Sequence, residues 1–197
     1  LDEKRIWIEN SLQKLTRERL IIQTSSSPTR FRLPTELFFL ATSELWRIDF
    51  SPEAKLRATL QELERGTLLF TGNLRETLFC RKLLGSWINE RAKLVLIPWL
   101  QTLSDELALP FKSARIRSQK TRWASCSSRK TINLNRNLLF LPPELARYVM
   151  IHELCHIVHL NHSAAFWKLV AEKDPDYRQH DKALRAANRR VPDWLWK

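Results

Sequence analysis

The stretch LPPELARYVMIHELCHIVHL, residues 141–160, is apolar on almost every side when wound into a helix. Leu145, Val149, Ile151, Leu154, Ile157, Val158 and Leu160 nearly encircle it, and Pro142 and Pro143 mark its start. Such a helix has to be surrounded, so the rest of the chain must build layers around it. Only His152, Glu153, His156 and His159 interrupt the apolar surface. Two histidines and a glutamate on a buried helix need something to satisfy them. The concentration is unusual too, because four of the five histidines lie between 152 and 162.

Residues four apart on a helix stack on one face, so His152 and His156 are spaced to face one ion. Glu153 sits one residue round, placed to act as general base on a metal-bound water rather than as a ligand. This HExxH pattern on an expected helix points to one zinc ion, for which imidazole nitrogens are ordinary ligands. A catalytic zinc needs a third protein ligand and a position left for water. His159 is excluded by geometry: it lies two turns from His152, about 10 Å along the axis. The chain has to turn first. Asn161 is suited to a left-handed C-cap and Ser163 to the N-cap of a helix beginning AAFWKL, with His162 between them. His162 is therefore the expected third ligand, Glu172 and His180 are the alternatives, and His159 is left a supporting or packing role. The spacing matches HExxHxxGxxH, but His159 stands where that motif has Gly, and the only methionine, Met150, precedes it.

Around this helix the expected architecture is α+β. Residues 3–20 read as an amphipathic helix, followed by a linker, TSSSPT, at 24–29. ELFFLAT, LWRIDF, LRATLQ and TLLFTG read as four strands of an antiparallel meander. A long helix then runs to Leu109, with Asn73 as N-cap and Pro98 as a kink or break. FKSARIRS is a strand, and TRWASC, SSRK and TINLN read as strand, turn and strand. Helices follow from Ser163 and from about Pro175 to Asn188.

Composition excludes several classes. The chain has 197 residues, 44% of them hydrophobic, enough for a sizeable core. Three glycines in all leave no glycine-rich phosphate loop. Cys80, Cys126 and Cys155 are odd in number and form no CxxC, which argues against a disulfide framework and for a reducing, cytoplasmic setting. LDEKRIWIEN carries no signal-peptide pattern, and LVLIPWL is too short to span a bilayer. The net charge of +12 is localised: residues 111–140 hold eight basic and no acidic residues. A positive segment directly before the histidine cluster suits nucleic acid or an acidic substrate. Trp123 within it is a base-stacking surface or, as more often for a strand tryptophan, core.

RSQKTRWASCSSRKTINLN, FLPPELARYVMIHELCHIVHLNHSAAFW and DPDYRQHDKALR together resemble the YgjP-like metallopeptidases, relatives of the SprT-like and WLM zinc proteases. The resemblance is dense over residues 111–190 and looser over 30–110. It departs at Ala124, where the family typically has Gly. It implies a zincin-like fold, with the HExxH helix against a small twisted, mainly antiparallel sheet. It also implies zinc on His152, His156 and His162, and Glu153 activating water to hydrolyse a peptide or protein substrate. On this reading 1–29 is a helix and linker, 30–110 belongs to the same globular unit, and 111–197 is the catalytic core. Two other readings stay open: a non-catalytic, zinc-containing module associated with nucleic acid, and hydrolysis of a non-peptide amide. Oligomeric state is not legible.

Overall fold

Alternating apolar residues build the first sheet of the computed structural model, which describes residues 32–195. The helix expected at 3–20 and the linker at 24–29 lie outside the described residues. The strands are β1 (Glu36–Phe39), β2 (Glu44–Pro52), β3 (Thr59–Leu63) and β4 (Thr67–Gly72). Leu37, Phe39, Trp46, Ile48, Leu68 and Phe70 recur at every second position and are buried. The expected meander does not form. The order is β1-β2-β4-β3, and β2 and β4 run parallel. β3 and β4 make a hairpin, but the largely exposed β3 goes to the edge while β4, buried at alternate positions, takes the inner place beside β2.

One long helix, α1 (Thr77–Leu107), follows, with Cys80, Leu84, Ile88, Ala92, Leu96, Leu100 and Leu103 forming a buried stripe. Trp87 on it stacks against Phe39 at 6.0 Å and packs edge-on against Trp46 at 4.8 Å. Arg91 grips Glu44 through Nε at 2.9 Å and Nη2 at 2.6 Å. Two expectations are corrected here. Asn73 does not cap the helix; its side chain accepts from the Arg75 N–H and donates to Glu76, closing a turn ahead of Thr77. Pro98 does not break the helix either. It lies on the exposed side, and so does Leu94, 68% exposed, whose carbonyl loses its helical donor.

The second sheet has β5 (Ser113–Arg117), β6 (Ala124–Cys126) and β7 (Thr131–Asn135) in the order β5-β7-β6. β5 is parallel to β7, and β6 pairs with β7 antiparallel through the turn at 127–130. Against this sheet and α1 lies α2 (Pro143–Cys155), then α3 (Ala164–Lys173) and α4 (Tyr177–Ala186). The described residues thus make an α+β fold with the HExxH helix packed on a small sheet, although the strands form two mixed sheets instead of one. One hydrophobic core runs from Leu37 through α1 and α2 to Leu195. No helix among the described residues is long and apolar enough to cross a membrane.

Candidate metal centre

The site begins where α2 stops. The helix ends at Cys155, earlier than the apolar pattern to Leu160 implied. The last turn tightens: the N–H groups of Ile157 and Val158 reach back only three residues, to Leu154 at 3.0 Å and Cys155 at 3.1 Å. Asn161 is therefore not a left-handed cap; no helix end is left there to cap, and its φ is not positive. Ser163 does cap α3, accepting from the Phe166 N–H at 3.3 Å. Between these two points the chain doubles back and brings His162 against His152, Nε2 to Nε2 at 3.0 Å.

His152, His156 and His162 each present one ring nitrogen within 4.8 Å of the others. No other group of three such side chains gathers among the described residues. His159 stays out of the group but supports it. Its backbone carbonyl is 2.9 Å from His156 Nδ1, and a carbonyl only accepts. Nδ1 of His156 must therefore carry the proton, which leaves Nε2 as a bare lone pair. Burial holds His152 down to about 4, with His156 and His162 adding to the effect, and burial also lowers His156. Both are neutral at pH 7, the form that binds metal. The alternatives lie elsewhere: Glu172 is exposed and pairs with Lys173 at 3.0 Å, and His180 Nδ1 is 2.8 Å from Asp174 Oδ2.

Aromatic rings fix the orientation of the three imidazoles. Phe166, fully buried, stacks on His156 at 4.4 Å and meets His152 and His162 edge-on at 4.9 Å each. His162 is exposed, yet Trp167 stacks on it at 5.7 Å and is itself stacked on Tyr177 at 5.6 Å. Tyr148, one turn before His152, packs edge-on against that ring at 6.0 Å and donates its hydroxyl to Asp181 at 3.4 Å.

Glu153 is 7% exposed, and burial pushes its carboxyl up to about 7. Two influences oppose that rise: a hydrogen bond from the Cys126 backbone N–H and the charge of Arg122. The Cys126 contact follows from strand geometry. Trp123 and Ser127 turn their backbone groups to β7, through Asn135 N–H to Trp123 at 2.8 Å and Ser127 N–H to Thr131 at 3.0 Å. By alternation Ala124 and Cys126 face the free edge, toward Glu153. Oε2 of Glu153 is buried and has no partner, an orphaned acceptor on the residue that follows His152. This donor set fits a cation that takes nitrogen ligands. The thiols take no part: burial raises Cys126 to about 11 and Cys155 to about 12, so both stay protonated.

Asn135 is a supporting residue that the sequence does not mark. Fully buried, it donates through Nδ2 to the carbonyls of Gln119 at 2.7 Å and Arg122 at 2.8 Å. Its Oδ1 accepts from the Asn137 N–H at 3.0 Å. These bonds clamp the loop that leads into β6. Asn135→Ala is expected to cost about 1–3 kcal/mol, because it leaves the buried Asn137 N–H and two part-buried carbonyls without their partner. The shift in urea midpoint measures it, and an unchanged midpoint would remove the clamp from the account.

A family model for the YgjP-like metallopeptidase domain matches residues 1–187. No curated protein matches the chain. Among solved structures the chain is similar to the metallopeptidase zymogen abylysin of Pyrococcus abyssi, at 27% identity and a TM-score of 0.42, over 47% of this chain and 93% of that one. The family match spans nearly the whole sequence and takes in both the histidine group and the sheet beside it. The chain belongs to the YgjP-like metallopeptidase family.

Proposed function

We propose that the protein is a zinc-dependent peptidase in which His152, His156 and His162 hold the metal and Glu153 is the general base. The observation that carries this is the convergence of three imidazoles, two of them on the helix turn that also carries a buried carboxylate with an unpartnered oxygen. Zinc held there would acidify a water and polarise the carbonyl of the scissile bond. Glu153 takes the proton of the attacking water at Oε2 and passes it to the leaving amine. Its other oxygen is tethered by Cys126, so the carboxylate stays aimed as the proton moves. The unpaired edge of β6, with the Ala124 N–H and C=O and the Cys126 C=O turned away from β7, suits an extended peptide laid alongside as a further strand.

Three ligands favour a catalytic site over a structural one, which four protein ligands usually close. That weighs against the non-catalytic nucleic-acid module, as does membership of a peptidase family. Three unpaired cysteines support a reducing, cytoplasmic setting. Stripping the metal with a chelator is expected to abolish cleavage of a mixed peptide pool, and one equivalent of zinc to restore it. Cleavage that survives complete stripping contradicts the proposal.

A further inference from the structure

Three cations stand around β6. Among the described residues three arginine or lysine side chains pair with a carboxylate: Arg91 with Glu44, Lys173 with Glu172, and Arg185 with Asp181. Arg122, Arg129 and Lys130 are all exposed, and none has a carboxylate within ion-pair distance among the described residues. Their positions are set by the fold. Asn135 clamps the Arg122 carbonyl just before β6, and the turn after β6 is closed by Lys130 N–H to Ser127 at 2.8 Å. Arg122 therefore stands at one end of the three-residue strand, and Arg129 and Lys130 stand at the other. β6 itself lies against α2, the helix that carries His152 and Glu153. No acidic residue occurs between 111 and 140 to offset the three cations.

We infer that this peptidase selects acidic substrates, cleaving peptides that carry Asp or Glu close to the scissile bond, with Arg122 at one end of β6 and Arg129 and Lys130 at the other receiving the carboxylates. The inference rests on the peptidase reading above. An extended acidic peptide fits better than nucleic acid for two reasons. The cations flank a free strand edge whose backbone groups match a peptide. The tryptophan of the segment, Trp123, is partly buried against the core, which leaves less of its ring for base stacking.

The test is cleavage of a randomised peptide pool, balanced in Asp/Glu and Lys/Arg, by the zinc-loaded full chain, with products sequenced by mass spectrometry. Acidic residues flanking the cleaved bonds are expected to be enriched roughly five- to tenfold over basic ones at low salt, the effect of two or three exposed charge pairs. The enrichment should shrink as salt is added. It should shrink likewise in Arg122→Gln and in a second variant, Arg129→Ser with Lys130→Asn, where asparagine tolerates the positive φ of 57° at position 130. Equal cleavage of acidic and basic sequences overturns the inference, and so does an enrichment that survives both variants and high salt. Salt-sensitive binding of a single-stranded oligonucleotide that needs the same cations, without acidic enrichment, also overturns it and assigns the surface to nucleic acid. If the loaded wild type cleaves nothing in the pool, the peptidase reading itself fails and the inference falls with it, a result distinct from cleavage without preference.

Discussion

Replacing Glu153 with glutamine is expected to lower kcat by roughly 10²–10⁴-fold while leaving zinc bound, the range that a positioned general base contributes. The same change should stabilise the metal-free protein. Burial raises the folded carboxyl to about 7, above its ordinary 4.5, so the folded state holds its proton more tightly than the unfolded chain does. Stability is therefore greatest at low pH with respect to this group, and it falls as pH rises from about 4.5 through 7. Above that window the buried charge costs about 3 kcal/mol, at 1.36 kcal/mol per unit. Glutamine keeps the shape and carries no charge. The metal-stripped variant should then melt several degrees above wild type at pH 8, at roughly 2–4 °C per kcal/mol, and close to it at pH 5. Thermal melts at the two pH values read this directly. A variant that is inactive but no more stable at pH 8 would mean that Glu153 is not a strained buried acid. A variant with wild-type turnover would remove it from the mechanism.

His162→Ala and His159→Ala separate ligand from support. His162 is exposed and sits in a loop, so its removal should leave the fold intact. Zinc affinity should nevertheless fall by more than about 10²-fold, beyond the 10–100-fold cost of losing an outer-shell partner. His159 gives His156 only its backbone carbonyl, at 2.9 Å, and alanine keeps that carbonyl. His159→Ala should therefore retain zinc affinity near wild type. Competition against a chromophoric chelator measures both. Zinc loss in His159→Ala with retention in His162→Ala would exchange the two assignments.

These expectations draw on two kinds of sequence information. The i, i+4 spacing of His152 and His156 fixes a face of a helix, so their pairing is legible from local geometry alone. The reasoning that the chain must turn before a third imidazole arrives is also local, and the structure brings His162 to the other two. The manner of turning is not legible. The helix stops at Cys155 by tightening its last hydrogen bonds, and no residue type announces that. The strands of the first sheet are visible as alternating runs, whereas their order is not. Pairing β4 with β2 in parallel depends on how all four strands pack together, a competition no single segment reveals. The Cys126 N–H that holds Glu153 and the Asn135 side chain that clamps the Arg122 loop belong to the same class. Both act between segments distant in sequence, through backbone groups that every residue carries.

The centre itself is tested most directly by anomalous scattering at the zinc edge from crystals of the zinc-loaded protein. One ion is expected, bonded by Nε2 of His152, His156 and His162 at about 2.0–2.1 Å, with a non-protein group in the fourth position. An ion held by other side chains, or a fourth protein ligand closing the site, would contradict that assignment.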